Sequence, residues 1–363
     1  MTPTPGEAGN AELGAGAWAR KLRSYRKPDA SRGVFELAIT LVPFALAWFL
    51  MLVAFENEHF WLYGLLILPA AGFLVRLFMI QHDCGHGSFF PNRRANEWAG
   101  RVIGVLTLTP YYYWRRNHAT HHASSGNLDR RGIGDVRTLT VAEYVTRSHL
   151  DRLGYRLYRH PCVMFGLGPL YLFLLKNRLP VGFMRKGWRP WLSTMGTTAT
   201  IAMLVMLGAR TVGLPVFLWV QVPIVAVGAG AGVWLFYVQH QFERTYWAKG
   251  EKWNAHDAAL YGSSYYSLPI VLRWFTANIG VHHVHHLSSR IPYYRLPEVL
   301  RNHSELRMRS RLTLLQSLQS SRLTLWDEEC RRLVSFKEIQ DRLVPATGAS
   351  PSSSMLGKAS LCR

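Results

Sequence analysis

The chain has 363 residues, of which 49% are hydrophobic, and its 42 lysines and arginines against 22 acidic residues give a formal net charge of +20. This length allows one large domain or two small ones. So positive a charge raises the question of nucleic-acid binding, but the basic residues lie beside apolar segments, as the positive-inside rule describes for membrane proteins. We therefore predict no nucleic-acid partner.

Four apolar runs are long enough to cross a bilayer core of about 30 Å, which needs about 20 helical residues. In chain order they cover residues 34–55, 60–80, 191–208 and 214–238. Two shorter apolar runs, 98–110 and 162–175, fall below this length, and we predict interfacial or buried helices there. The pattern indicates an all-α integral membrane protein with four transmembrane helices.

The other segments complete the predicted organisation. Residues 1–33 are expected to be a disordered basic segment, 34–343 the membrane domain and 344–363 a disordered Ser/Gly/Pro-rich tail. Within the membrane domain, further helices are expected near 296–306 and 312–343. Lysine and arginine are concentrated before the first span and between the second and third spans. The positive-inside rule then places both termini and the long connection in the cytoplasm.

Three clusters of histidines have the i, i+3, i+4 spacing, or part of it, that puts side chains on one face of a helix. They are His82 and His86 at the end of the second span, His118, His121 and His122 in the connection that follows, and His282, His283, His285 and His286 after the fourth span. In the third cluster, helical geometry alone allows His283 as well as His285. The second cluster has the same pattern without an extra histidine, and by analogy we select His282, His285 and His286.

Four spans return the chain to the side on which it started, so all three clusters can meet at one depth just outside the hydrocarbon. His240, at the end of the fourth span, emerges on the same side. Isolated histidines are usually ordinary core or surface residues, and we interpret His59, His149, His160, His256 and His303 in this way. Neutral imidazole binds zinc, copper, iron and nickel, so the spacing predicts a metal site without naming the metal.

Two features near the clusters leave alternatives open. The aromatic residues 111–114 either line an acyl pocket or anchor the chain at the membrane interface. Arg76 lies inside the second span, where the cost of a charge indicates a function. It also lies within snorkelling reach of the membrane face.

These motifs resemble those of the membrane fatty acid desaturases, and they are more similar to the acyl-lipid group acting at the delta-12 or neighbouring positions than to the acyl-CoA group. The resemblance covers about residues 35–300. It rests on H-D-C-G-H at 82–86, H-A-T-H-H at 118–122, D-R-R-G-I-G-D at 129–135 and H-H-V-H-H at 282–286.

The resemblance implies a cytoplasmic helical cap that holds two iron ions, with no catalytic residues beyond the metal ligands. His240 is similar to the additional ligand that some members supply after the fourth span. The implied ligands are His82, His86, His118, His121, His122, His240, His282, His285 and His286.

The implied reaction is the O2-dependent introduction of a cis double bond into a lipid-linked acyl chain, at delta-12, which converts oleoyl to linoleoyl groups. Removing hydrogen from an unactivated methylene needs a redox-active metal, which iron can be and zinc cannot. Because the chain has no haem-binding His-Pro-Gly-Gly segment, an external ferredoxin-like or cytochrome-like electron donor is implied. Candidates for docking an acidic donor are Arg115, Arg116, Arg130 and Arg131.

Metal-bound imidazoles need the second ring nitrogen held by a carboxylate or a carbonyl. The candidate carboxylates are those of Asp83, Asp129, Asp135, Glu243 and Asp257.

Other membrane enzymes share similar histidine patterns, among them hydroxylases, epoxygenases, and alkane and carotenoid oxygenases, and a delta-9 desaturase would differ only in position. The Asp-Cys-Gly spacer at 83–85 and the loop at 128–135 favour a desaturase over the hydroxylases and oxygenases. A metal transporter is an alternative from another class. It needs polar groups along its spans, and these four spans offer almost only Arg76.

Overall fold

The computed structural model describes residues 14–132 and 134–343, so the predictions for 1–13 and 344–363 lie outside the described residues. Its helices are α1 (Ala15–Lys21), α2 (Ala30–Glu56), α3 (Phe60–His86), α4 (Arg93–Leu106), α5 (Tyr111–Ser124), α6 (Val141–Val145), α7 (His149–Arg159), α8 (Gly168–Leu170), α9 (Trp188–Thr211), α10 (Leu214–His240), α11 (Ala255–Tyr261), α12 (Ile270–Phe275), α13 (His282–Leu287), α14 (Leu296–Asn302), α15 (Leu314–Ser320) and α16 (Phe336–Leu343). Its strands are β1 (Leu139–Thr140), β2 (Tyr265–Ser267), β3 (Arg311–Thr313), β4 (Leu325–Asp327) and β5 (Arg332–Val334).

The predicted helical membrane architecture is confirmed. Four helices, α2, α3, α9 and α10, are long and apolar enough to cross a membrane. Each predicted span lies inside one of these helices, and the helices extend beyond the apolar runs. The extension of α3 past residue 80 carries His82 and His86, and the last residue of α10 is His240. These three histidines therefore lie on helical continuations of the spans.

Local signals set the ends of the first two spans. The Asp29 carboxylate accepts a hydrogen bond of 2.9 Å from the backbone N–H of Arg32 and so caps the start of α2. Helix α3 ends at His86, and the residue that follows, Gly87, has a left-handed φ of +66°, which glycine adopts with the least strain. Short connections at 57–59 and 212–213 make each pair of spans antiparallel. As a result, the start of α2 and the ends of α3 and α10 lie on one face.

Shorter helices and two small sheets cover that face. One sheet has the order β1-β4-β5, with β1 parallel and β5 antiparallel to β4, and the other pairs β2 with β3 in parallel. The prediction of one helix over 312–343 is wrong, because β3, α15, the β4–β5 hairpin and α16 follow one another there. Leu325 pairs with Leu139, far away in sequence, and both are buried. This long-range pairing outweighs local helix propensity.

The two short apolar runs form helical segments, as predicted. The apolar run at 98–110 overlaps α4, and the run at 162–175 forms a continuous helical segment of mixed π and α geometry around α8.

Residues 14–33 were expected to be disordered, but α1 buries Trp18, and the rings of Trp18 and Tyr25 meet His303 edge-on at 5.7 and 5.9 Å. This N-terminal segment is thus fastened to the polypeptide that follows α14.

Arg76 forms a buried ion pair with Glu36 that joins the second span to the first. Only 2% and 3% of the two side chains are exposed. The guanidinium also donates to Thr40 Oγ1 at 3.0 Å and to the Trp274 carbonyl. Arg32 reaches the other Glu36 oxygen at 2.6 Å. Arg76 is therefore bonded inside the protein and does not snorkel to the membrane face.

Replacing Arg76 with methionine is expected to lower the free energy of unfolding by about 3 kcal/mol, the low end for breaking a buried pair, because Arg32 still neutralises Glu36. Chemical denaturation in detergent micelles measures the loss. The double variant Arg76→Met/Glu36→Leu should recover most of it, since no unpaired charge remains. The exposed Arg210 is the matched control. An Arg76→Met variant as stable as Arg210→Met would contradict the role of the pair.

Candidate metal centre

Four separate segments bring histidines to the end of the helix bundle. His82 and His86 occupy the last turns of α3, and His240 ends α10. Helix α5 carries the second cluster and α13 the third. The short α13 is fixed at its start, because the backbone N–H groups of His282 and His283 lie 3.2 and 3.4 Å from the Ser264 carbonyl oxygen. Strand β2 continues from that point, so the sheet positions the third cluster.

All nine predicted histidines meet in two groups. Within each group, one ring nitrogen from every member lies within 4.8 Å of the others. The first group contains His82, His86, His118, His122 and His285, and the second contains His121, His240, His282 and His286.

Neighbouring histidines of one motif belong to different groups. His121 and His122 are adjacent in sequence, as are His285 and His286, yet each pair divides between the two groups. Successive side chains on an α-helix point about 100° apart, which lets one helix contribute to two sites at once. Helices α5 and α13 therefore bridge the two groups, and the doubled histidines in the sequence have a geometric reason.

The ring nitrogens face one another as donors to a cation would. In the first group the Nε2 atoms of His118 and His86 are 3.0 Å apart, and those of His122 and His285 are 3.1 Å apart. His82 Nε2 is buried without a hydrogen-bond partner among the described residues. In the second group His240 Nε2 lies 3.1 Å from the Nε2 atoms of both His121 and His282. Converging lone pairs in a buried site fit a metal ion, and each group can hold one.

The ionisation state of the extramembrane histidines also suits metal binding. Burial, reinforced by the neighbouring imidazoles, holds the pKa of His118, His122 and His285 well below the usual value. The pKa values of His282 and His286 are lowered for the same reasons. The neutral form that binds a metal is thus the form that the fold favours at neutral pH.

His283 lies outside both groups, in agreement with its exclusion by analogy with the second cluster. Its Nε2 donates to the Leu306 carbonyl at 2.9 Å. Burial lowers the pKa of His283 from 6.5 to about 4, although the hydrogen bonds to Leu306 and Ser264 favour protonation. A neutral native imidazole binds fewer protons than the unfolded chain, so the stability from His283 is complete above pH 6.5 and declines as the pH falls toward 4.

Two of the five candidate carboxylates contact the second nitrogens of grouped histidines. The Nδ1 atom of His82 donates to Asp83 Oδ1 at 3.1 Å, and that of His121 donates to Asp135. The other three carboxylates do not do so: Asp129 accepts from the Gly250 N–H, Glu243 lies 3.7 Å from Arg332, and Asp257 stands in the first turn of α11.

Two further features around the groups were not predicted from the sequence. The Gly262 carbonyl accepts from His240 Nδ1 at 2.9 Å, and a backbone acceptor leaves no signal in a sequence. Trp114 stacks on the His118 ring with 4.7 Å between centroids. A Cβ at position 85 would come within 2.8 Å of Trp114, so glycine is needed there for packing.

The aromatic residues 111–114 help to position the histidines of α5. Tyr111 and Tyr113 are buried, and their hydroxyls donate to the carbonyls of Cys84 at 2.8 Å and Val181 at 3.0 Å. The Tyr111 contact holds α5 against the end of α3, where the first histidine cluster lies, and the Tyr113 contact holds α5 against the segment that precedes α9.

Fold and site together define an integral membrane protein with two imidazole groups, each able to hold a metal ion, at one end of a four-helix bundle. A profile of the family described as fatty acid desaturase matches residues 58–316. The chain belongs to the fatty acid desaturase family, and it is an oxidoreductase that acts on acyl lipids.

Individual relatives agree with this assignment. The chain is 42% identical to a fatty acid desaturase of Bacillus subtilis (strain 168), over 93% of this chain and 96% of that protein. It is 30% identical to an sn-1 acyl-lipid omega-3 desaturase (ferredoxin) of Synechocystis sp., over 73% and 72% of the two chains. It is also 26% identical to an sn-1 acyl-lipid omega-3 desaturase (ferredoxin) of Nostoc sp., over 61% of each chain.

Metal content should distinguish His285 from its neighbour His283. The wild-type protein is expected to hold about two metal ions per chain, one per imidazole group. Replacing His285 with alanine should lower that number, because it removes one of five donors from the first group. His283→Ala should retain the metal. Inductively coupled plasma mass spectrometry of purified protein makes the comparison, and equal metal loss in both variants would contradict the grouping.

Proposed function

We propose that the chain introduces a cis double bond into a lipid-linked acyl chain, with O2 as oxidant and two iron ions as cofactor. The two convergent imidazole groups carry this proposal. The proposed ligands are the predicted nine, namely His82, His86, His118, His121, His122, His240, His282, His285 and His286. Iron is proposed over zinc because a desaturase must change the oxidation state of its metal.

When bound, the iron ions would supply the O2-derived oxidant that removes hydrogen from an unactivated methylene. The protein's own contribution is orientation and shielding. The carboxylates of Asp83 and Asp135 and the Gly262 carbonyl hold Nδ1 protons, which leaves Nε2 of three histidines free to bind metal. Burial of both groups keeps bulk water away from a strong oxidant.

The proposed position of the double bond is delta-12, as inferred from the motifs. The names of the Synechocystis and Nostoc relatives describe omega-3 desaturases, which favours omega-3 as the second candidate. Both positions lie in the part of the chain beyond an existing delta-9 bond. The two candidates differ in substrate, oleoyl for the first and linoleoyl for the second, so a product analysis separates them.

The proposed electron donor is a soluble acidic carrier of the ferredoxin type, a donor kind that is printed in the names of both cyanobacterial relatives. Among the four candidate docking arginines, Arg131 pairs with Glu143, Arg115 lies 3.8 Å from Glu97, and Arg116 lies over the Phe183 ring. Arg130 is exposed, and its guanidinium has no hydrogen bond or ion pair to any described residue. It is the strongest candidate of the four for contact with the donor.

We further propose that residues 34–343 form the desaturase domain and that the metal centre faces the cytoplasm, with both termini on the same side. The arginine-rich connection between α3 and α9 supports this orientation by the positive-inside rule. In a bacterial cell the membrane would be the cytoplasmic membrane.

Expression in a host rich in oleate but lacking polyunsaturated lipids tests the reaction. We expect linoleate to accumulate, identified by gas chromatography–mass spectrometry of derivatised lipids. His285→Ala should abolish it, and the exposed His149→Ala should not. New double bonds at delta-9 would support the desaturase activity but refute the delta-12 position. Conversion of supplied linoleate, with no conversion of oleate, would favour the omega-3 position. A hydroxylated or epoxidised main product would refute the reaction type.

The electron donor is tested with purified protein. It should turn over with reduced ferredoxin and stop when ferredoxin is omitted.

Tag accessibility tests the orientation. Glu58 lies in the connection between α2 and α3, and Arg210 lies in the last turn of α9, just before the connection to α10. We expect antibodies to reach epitope tags inserted at these two positions from outside intact spheroplasts. Tags at either terminus should be reached only after permeabilisation. The opposite pattern of accessibility would contradict the proposed orientation. Termini on different sides of the membrane would rule out four crossings.

A further inference from the structure

A cleft of about 420 Å³ opens beside the first transmembrane helix, and none of the nine grouped histidines lines it. One wall is the start of α2, a second is the short helix α12, and the third is the segment that leads into α14. Nothing in the desaturation chemistry described above uses it. The residues that define it are Arg32, Phe35, Arg76, Arg273, Trp274 and Arg301.

The lining of the cleft is strongly cationic. Four arginines face a single carboxylate, that of Glu36, which is already paired with Arg32 and Arg76. The guanidiniums of Arg273 and Arg301 have no ion pair or hydrogen bond to any residue that the structure describes. They come from separate elements, α12 and α14, and line the same space. The cleft thus offers two free guanidiniums to an anion, and guanidinium is the side chain best suited to bind phosphate oxygens.

The surroundings of these charges are apolar and exposed. On α2, Phe35 is 51% exposed, and on α12, Ile270 and Val271 are 72% and 61% exposed. Phe35 belongs to a membrane-spanning helix, so its exposed face meets lipid. Helix α12 places its apolar side chains beside the same face, as an interfacial helix does. An anion that reaches this cleft is therefore attached to an apolar body rather than free in water.

We propose that the cleft binds the phosphate of an anionic glycerophospholipid, with Arg273 and Arg301 contacting the phosphate oxygens. The acyl chains would lie along Phe35 and Ile39 on the lipid-facing side of α2. The cleft lies at the membrane depth of lipid headgroups, because its lining residue Arg32 is in the first turn of the membrane-spanning helix α2. This site does not depend on which reaction the metal centre performs.

The floor of the cleft is bonded to the first imidazole group. The Tyr293 hydroxyl donates to Glu36 at 3.0 Å, and the backbone N–H of Tyr293 donates to Asp83 Oδ2 at 2.7 Å. Asp83 in turn holds His82 Nδ1. A lipid headgroup in the cleft would therefore rest on the same hydrogen-bonded residues that orient one histidine of the metal centre.

The test is a binding titration with the full-length protein in maltoside micelles, with dioctanoyl phosphatidylglycerol as the probe. Isothermal titration calorimetry gives the dissociation constant. The double variant Arg273→Ala/Arg301→Ala should raise it by at least about tenfold, because both charge-assisted contacts are lost. The matched control, Arg185→Ala/Arg189→Ala, removes two exposed arginines near the start of α9, on the same membrane face, and should leave it unchanged.

Further arms identify the source of the anion. Dioctanoyl glycerol, which lacks the phosphate, should bind much more weakly than phosphatidylglycerol, and inorganic phosphate should not compete at matched concentration. Comparable binding by the diacylglycerol would mean an apolar groove, and effective competition by inorganic phosphate would mean a general anion site. Equal weakening in the two double variants would mean nonspecific attraction to a basic face. Each of these three results overturns the proposal. Unchanged unfolding temperature and metal content in the Arg273→Ala/Arg301→Ala variant exclude misfolding as the cause.

Discussion

The structure depends on keeping nine imidazoles together, buried or partly buried, at one end of an apolar helix bundle. Each ring needs a nitrogen lone pair directed inward, and in the absence of a cation these lone pairs repel one another. Hydrogen bonds from some of the outer ring nitrogens to protein acceptors hold these rings in place despite the repulsion. His82, His121 and His240 each donate Nδ1 to an acceptor provided by the protein. A bound metal would then complete an arrangement that the polypeptide already favours.

This constraint accounts for the arrangement of the spans. Histidines at the ends of α3 and α10 can meet only if both helices end on the same face, which an even number of antiparallel spans ensures. The donors must also lie beyond the hydrocarbon, where backbone irregularity and water-exposed loops are tolerated. The helical continuation of α3 to His86 meets this need, and α5 and α13 approach from outside the bundle.

The sequence predicted the parts of the structure that follow from repeated local patterns. Four apolar runs located the spans, and the spacing of histidines identified eight of the nine members of the two groups, because both signals depend on residues close in sequence. The ninth, His240, was inferred from its place at the end of the fourth span and from the family resemblance. The β4–β5 hairpin was missed because β4 also pairs with β1, where Leu325 lies opposite Leu139, almost two hundred positions away. The choice between Asp83 and Asp129 as histidine partner was equally out of reach, since only the tertiary fold decides which carboxylate meets an imidazole. Arg76 was recognised as unusual, but its partner Glu36 could not be named from the sequence.

The two imidazole groups are supported from different parts of the molecule. The group of five is tied to the membrane helices, because Asp83 links His82 through Tyr293 to the Glu36–Arg76 pair between α2 and α3. The group of four is tied to the segments outside the membrane, through Asp135 in the loop after α5 and the Gly262 carbonyl after α11. The groups share α5 and α13, so neither can move far without the other. The buried ion pair between the first two spans is thus part of the framework that orients an imidazole of the metal centre, which gives the costly charge of Arg76 a structural reason.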